Sequence, residues 1–388
     1  MASQVSSCLD VQSVPESYIF PPETRPGKLT VPLCKTNPVI DLGKAVGQAR
    51  TDIIQQISEA CQRFGFFQVH NILFYSITST CLINLFCSFE NSLKELMVSC
   101  KDFCLHQTNS LEDHIVLWKQ VINHGVPECL IIDTTKVFND LFNLPAEDKV
   151  NVPEKNGWFY TDSMKFSSNG VHLWRENIKV PCQPLEEECV QLCPEKPNRY
   201  REIVVSYVKE LRKLSLRILE LICEGLGLEG GYFEESSEVQ LLTANYYPPC
   251  PDPSTTLGLL RHCDPSLITI LLEGDVSGLQ VFKDGEWIGV KALSNAFVVI
   301  VGNQLEIISN QKLKSAEHRA VTNPSEARTS IATLINPSLD FVVEPAKLLV
   351  NDLNPPLYRP ILYKEFVHSS RAFGPDTEAI KYRISSEL

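Results

Sequence analysis

The stretch Leu259-Leu-Arg-His-Cys-Asp-Pro-Ser266, read with Glu317-His-Arg-Ala-Val321 and Ala327-Arg-Thr-Ser-Ile331, decides how this chain is understood. Side chains on a β-strand alternate between faces, so His262 and Asp264 point the same way and grip one ion together, with His318 completing the set. Two imidazoles and one carboxylate on a single face of an octahedral ion form the triad of non-haem Fe(II) chemistry and leave three positions free. Arg328 and Ser330 share a face by the same spacing. A guanidinium fork beside a hydroxyl suits one end of a dicarboxylate, which it binds bidentately. A lone His-x-Asp arises by chance in many chains. A later histidine and an Arg-x-Ser in the same β-rich region make it specific.

Outward from the motif the apolar period is two. Between about 239 and 343 some eight short extended runs are separated by turn signals, which points to a closed antiparallel sandwich of the jelly-roll kind. Asp284-Gly285 marks a tight hairpin, and Pro248 to Pro253 must be loop. Upstream the period becomes helical. Tyr200, Ile203, Val204, Tyr207, Leu211, Leu214, Ile218 and Ile222 predict a helix over 198–226 with a Gly-Leu-Gly stop at 225–227, and Ile53, Ile54, Ile57, Cys61 and Phe64 mark another that ends at Gly65. Pro38–Leu42 and Phe66–Val69 read as strands. The expected class is α+β, a double-stranded β-helix flanked by N-terminal helices. A flexible lead-in covers 1–36, a helical region 37–235, the jelly-roll 236–345 and a polar helical tail 346–388, which closes over the barrel mouth.

At 388 residues, with 44% apolar residues, the chain buries a large core, and a net charge of -12 without a basic run argues against nucleic acid or anionic membrane as partner. The 14 cysteines are scattered and form no CxxC pair, as expected of reduced thiols in the cytoplasm. The opening MASQVSSCLD has neither basic nor apolar leader regions, so no secretory signal is expected. His124, His172 and His368 lack partner spacing and read as structural; Cys263 reads as a small core residue facing away from the ion.

Asn245-Tyr-Tyr-Pro-Pro-Cys-Pro251, His262-x-Asp264, Gly278-Leu-Gln-Val281, His318-Arg-Ala-Val321 and Arg328-x-Ser330 together resemble the plant 2-oxoglutarate- and Fe(II)-dependent dioxygenases of specialised metabolism. The segments ICEGLGL, NYYPPCPDPS, SIATLI and NPPLY are similar to those of hyoscyamine 6-dioxygenase-like members. The resemblance implies that His262, Asp264 and His318 hold Fe(II), that Arg328 pairs with the 5-carboxylate of 2-oxoglutarate while Ser330 adds a hydrogen bond, and that Asn245 and Tyr247 line the same pocket. It further implies ascorbate as reductant, O2 and a small molecule as substrates, a role in alkaloid biosynthesis, and a monomer. The segment around Trp158, Phe159, Tyr160 and Trp174, with the tail, is expected to wall the substrate pocket. Two alternatives stand beside this reading: an Fe(II)/O2 oxidase that does not use 2-oxoglutarate, and a catalytically impaired jelly-roll binding protein.

The second alternative arises from residues 69–120. Joining Gln68 to Val121 gives the unbroken family segment FGFFQVINHGV, so this stretch reads as an insertion. It begins with Val, whose codons start GT, and ends with Gln, one of whose codons is CAG, and its Phe, Leu, Ile, Ser and Cys bias suits a thymine-rich retained intron read in frame. Ile72 to Phe89 is about long enough to cross a membrane, but Ser76, Thr78, Ser79, Thr80, Asn84 and Ser88 make it too polar. The insert falls in a buried strand, and the expectation is that it breaks that strand, exposes apolar surface and lowers solubility and turnover.

Overall fold

The computed structural model describes residues 12–28, 31–34, 38–70, 124–145, 148, 159–161, 170–183, 196–373 and 384. In chain order the strands are β1 (Val39–Ile40), β2 (Phe66–His70), β3 (Phe159–Thr161), β4 (Glu176–Gln183), β5 (Val239–Tyr247), β6 (Leu259–His262), β7 (Ile268–Leu272), β8 (Leu279–Lys283), β9 (Glu286–Gly289), β10 (Ala296–Val301), β11 (His318–Ala320), β12 (Arg328–Asn336), β13 (Val342–Val343) and β14 (Ile361–Leu362). The helices are α1 (Arg50–Arg63), α2 (Glu128–Phe142), α3 (Tyr200–Leu226), α4 (Asn303–Ile308) and α5 (Tyr363–Phe373).

Eight strands form one sheet in the order β1-β2-β10-β7-β12-β5-β4-β3, and β6-β11-β8-β9 form a second. The parity of side chains on the large sheet builds the molecule. In β10, Phe297, Val299 and Val301 join the core shared with the helices, whereas Val298 and Ile300 join a separate cluster with Leu279, Val281 and Val290 of the small sheet and its edge. Both parities are buried, so this strand is apolar throughout, as an internal strand covered on both faces must be. In β5 and β12 the two faces differ: Leu242, Ala244, Ile331 and Ile335 pack on the helices, while Thr243, Asn245, Tyr247, Arg328, Ser330 and Ala332 turn toward a cavity. One residue of slip would drive Arg328 and Ser330 into the helical core.

α3 is the main buttress. Its buried stripe packs against α1 and α2, and it stops where Gly227 takes φ 71°, its amide reaching back to Cys223 and Glu224 carbonyls. The Asp284-Gly285 hairpin joins β8 to β9 with both residues at positive φ, 52° and 88°, the turn whose twist matches paired strands. Of Pro38–Leu42 only Val39–Ile40 is strand, because the Asp41 carboxylate accepts the Gly43 amide and starts a helical turn.

Two expectations fail. The lead-in is not loose over its described part: Val14, Tyr18 and Phe20 are buried, with Tyr18 edge-on to Trp174 at 5.2 Å between ring centroids, so three apolar anchors outweigh a polar composition. Nor is β2 broken at the insertion point. It runs through Val69 and His70, pairing Val69 with Ile40 on one side and Phe297 on the other, and Val69 is fully buried. Val69, the first residue of the stretch read from sequence as an insertion, completes the strand. On the far side, the buried His124 ring accepts the Val126 amide at Nδ1 and bonds the Asn295 carbonyl through Nε2 at 3.0 Å, one residue from Ala296, the partner of His70. The segment proposed as membrane-length, 72–89, lies outside the described residues; among the described residues no helix is long and apolar enough to cross a membrane.

Candidate metal centre and anion pocket

His262 ends β6 and His318 begins β11, and the ladder places them directly opposite each other, with ring centroids 4.2 Å apart. Asp264 does not share the strand, contrary to the alternation expected from spacing. The chain leaves β6 after His262, and the Asp264 carbonyl accepts the amide of Asn303 at the start of α4, which turns the carboxylate back beneath the two rings. Asp264 Oδ1 lies 3.5 Å from His262 Nε2 and 3.9 Å from His318 Nε2, and one ligand atom from each residue lies within 4.8 Å of the others.

The rings are tautomerically set. His262 Nδ1 lies 2.8 Å from the Leu260 carbonyl and His318 Nδ1 2.8 Å from that of Ala316. A carbonyl only accepts, so each Nδ1 carries a proton and each Nε2 is the ring nitrogen turned toward Asp264. Burial and the neighbouring His262 push the His318 pKa down to about 4, against the pull of Asp264, so the ring is neutral and ready to ligate. Burial alone would raise Asp264; His318, His262 and a Thr269 hydrogen bond outweigh it and hold the carboxyl well below its ordinary range. Asp264 Oδ2 is buried without a hydrogen-bond partner, an expensive state that a cation relieves. The donor set, two imidazoles pinned at Nδ1 and an ionised carboxylate, therefore fits Fe(II).

The second group comes from one stretch of ladder. Arg328 pairs with Tyr247 and Ser330 with Asn245 across β12 and β5. Between them Thr329 and Tyr246 face the other way, Thr329 donating to Asn139 at 2.5 Å and Tyr246 stacking on Phe142 of α2 at 5.5 Å. Arg328 is 4% exposed, its Nε donates to the Val276 carbonyl at 3.0 Å, and its guanidinium carbon sits 5.1 Å from the Tyr247 ring centroid. Nη1 is buried with no acceptor. An orphaned guanidinium nitrogen with a buried serine two cross-strand pairs along, on the same face, is a fit for one end of a diacid. Asn245 is already committed through Oδ1 to Arg175 Nη1 at 2.7 Å and Asn177 Nδ2 at 2.9 Å, so it orders the pocket wall.

All seven residues singled out by sequence line one cavity of about 380 Å³. Its wall also includes Arg175, Lys179, Leu241, and Tyr363 with Val367 of α5, as expected of a tail over the mouth. Trp174, expected in this wall, is instead fully buried against Tyr18 and Cys250 with its indole N–H on the Pro248 carbonyl. Trp158 lies outside the described residues. Cys263 is half-buried at the cavity edge rather than in the core. Spacing gave no hint of Arg175 or of the buried Glu273; the one signal for Glu273 was a lone acid ending the apolar run Leu267–Leu272, since a buried charge demands a partner.

Comparison with known proteins agrees with this geometry. Residues 238–337 match the 2OG-Fe(II) oxygenase superfamily, and residues 38–75 and 118–202 match the family described as non-haem dioxygenase in morphine synthesis N-terminal. Hyoscyamine 6-dioxygenase of Hyoscyamus niger is 39% identical, the match spanning 99% of this chain and all of that protein. Flavanone 3-dioxygenase 2 of Oryza sativa subsp. japonica is 41% identical over 64% of this chain and 74% of its own length. The crystal structure of JOX2 in complex with 2OG, Fe and JA superposes with a TM-score of 0.76 at 30% identity, over 99% of this chain and 98% of that one. With its two sheets enclosing paired histidines, a carboxylate and a buried arginine, this chain belongs to the 2OG-Fe(II) oxygenase superfamily and is a 2-oxoglutarate-dependent dioxygenase.

Proposed function

We propose that the enzyme hydroxylates a small plant specialised metabolite, with His262, Asp264 and His318 as metal ligands and Arg328, Ser330, Asn245 and Tyr247 forming the 2-oxoglutarate pocket. When bound, the ferrous ion supplies O2 activation coupled to decarboxylation of 2-oxoglutarate to succinate and CO2. The chain's own contribution is placement. Leu260 and Ala316 carbonyls hold both Nε2 lone pairs inward, and Arg328 with Ser330 would take the distal carboxylate of the diacid and so fix its direction. Tyr363 and Val367 screen the mouth from water.

One observation carries the reading: the triad, the orphaned Arg328 nitrogen and Ser330 open into the same cavity. A buried guanidinium with an unpaired nitrogen there suits the distal carboxylate of 2-oxoglutarate, which favours this reading over an oxidase that dispenses with it. A pure binding protein has no use for an open ion site. The described lining contains Arg175 and Lys179 and no acid besides Asp264, which favours a neutral or acidic metabolite over one bearing a protonated amine, within or outside alkaloid biosynthesis. Ascorbate as reductant, a monomeric state and a cytoplasmic location complete the proposal. Succinate release against a panel of alkaloid, flavonoid and carboxylic-acid plant metabolites tests it; release that no panel member stimulates above the uncoupled rate contradicts it.

Residues 69–120 are, on this reading, an insertion from a retained intron. The gap in the family match from 76 to 117 supports it, and so does the register of β2. Transcript sequencing across the junction tests it: a spliced message lacking this stretch is expected, and its absence beside abundant message that encodes 69–120 contradicts the proposal.

A further inference from the structure

Arg328 lies against a buried acid at the end of another strand. Glu273 directly follows β7 and is 2% exposed, and its Oε1 accepts the amides of Gly278 at 3.1 Å and Leu279 at 3.0 Å. The same oxygen stands 3.5 Å from Arg328 Nη2. On the other flank the Arg328 stem presses on Gly278, where a Cβ would come within 2.8 Å of Arg328 Cδ. The guanidinium is thus bounded by Glu273 Oε1, the Val276 carbonyl, Gly278 and the Tyr247 ring, with Nη1 buried and without an acceptor. Glu273 Oε2 makes no hydrogen bond and is buried, so one oxygen alone carries every contact.

We propose that Glu273 is a positioning residue for 2-oxoglutarate: by the reach of Oε1, and not by its charge, it locks the loop 274–279 to Arg328 and presents Nη1 to the distal carboxylate. Burial pushes the Glu273 carboxyl up, against Arg328 and the two amides, so this site tolerates a neutral form of the side chain. The inference rests on Arg328 taking the distal carboxylate, as proposed above.

Calorimetric titration of 2-oxoglutarate into the Mn(II)-loaded full chain, alongside 2-oxopentanoate, which lacks the distal carboxylate, separates the two ideas. Glu273→Gln keeps Oε1 in reach of both amides and of Nη2, and its Kd for 2-oxoglutarate stays within about threefold of wild type. Glu273→Asp keeps the charge but withdraws the oxygen by one methylene, and its Kd rises about tenfold or more, the worth of a misplaced charged hydrogen bond. Binding of 2-oxopentanoate and of Mn(II) is the same in all three proteins. The reverse order, with Glu273→Asp like wild type and Glu273→Gln defective, overturns the proposal, as does equal loss for both keto acids. If Glu273→Asp does not fold, Glu273→Gln decides alone, since a loss of tenfold there contradicts a role for reach. Wild type that binds the two keto acids equally would instead sink the assignment of Arg328.

Discussion

His262 stands directly opposite His318 in the β6–β11 ladder, and this single register pair sets the distance between the two imidazoles. Each ring is pinned at Nδ1 by a carbonyl two residues before it, that of Leu260 within β6 and that of Ala316 just ahead of β11. Asp264 depends on a loop. It hangs from the turn between β6 and β7, held by Asn303 and Thr269.

Removal of a ligand is therefore expected to separate binding from folding. Asp264→Ala leaves both rings in place and lowers Fe(II) or Mn(II) affinity at least about 100-fold, while the melting temperature of the metal-free protein changes little, because a costly unpaired oxygen leaves with the ion site. Metal titration followed by thermal denaturation checks both halves. A large fall in metal-free stability with unchanged metal affinity would point to a structural role.

Acid is expected to weaken the metal-free protein through His318 before Asp264 titrates. His318 has a folded pKa of about 4 against an ordinary value of 6.5, so below 6.5 the unfolded chain takes up a proton that the folded chain refuses. Its contribution is intact above 6.5 and falls as the pH drops toward 4, by about 1.4 kcal/mol per pH unit at most. Asp264, held below its ordinary 3.8, adds a loss in the same direction only at lower pH. Denaturant melts between neutral and mildly acid pH show the fall, and His318→Gln removes about one proton from the slope. Identical slopes for the two proteins would show that His318 is not the group.

Arg328 ties binding to stability. Arg328→Met is expected to weaken 2-oxoglutarate about 100-fold, and it also takes from Glu273 Oε1 its only side-chain neighbour of opposite charge, which costs about 1–3 kcal/mol. The double variant with Glu273→Gln recovers most of the stability and none of the affinity, a non-additivity expected of groups in contact. Chemical denaturation and calorimetry on the four proteins of the cycle measure it; additive losses would mean the pair is not coupled.

Deletion of 69–120 is expected to leave the sheet as it is. Val121 then follows Gln68 and takes the place of Val69 opposite Phe297, Ile122 takes that of His70, and Asn123 links the strand to His124, which already bonds Asn295. A valine replaces a valine in the core, so no cavity term arises. The deletion variant has soluble yield, melting temperature and 2-oxoglutarate affinity equal to or above those of the full chain. A deletion variant that fails to fold would show that the segment is integral to the structure.

What the sequence made legible was periodic or paired. The Arg328–Ser330 spacing, the Asp284-Gly285 turn and the long α3 are local patterns that reappear in the fold, whereas the His262–His318 pair is made by the ladder and Asp264 sits off the strand on which spacing put it. The lead-in was not legible, because Tyr18 finds Trp174 across a long sequence separation and no short pattern announces such a contact. Glu273 escaped for the same reason: its partner Arg328 lies on another strand, and an acid next to Gly274 reads first as a turn. Trp174 misled because aromatic residues near a site are more often core than wall.

The most direct test of the whole account is anaerobic addition of 2-oxoglutarate to the Fe(II)-loaded protein, followed by visible absorption. The account requires a charge-transfer band that saturates at one 2-oxoglutarate per iron, is lost in His318→Ala, and needs far more 2-oxoglutarate in Arg328→Met. Bound iron with no band, or a band unchanged in both variants, would contradict it.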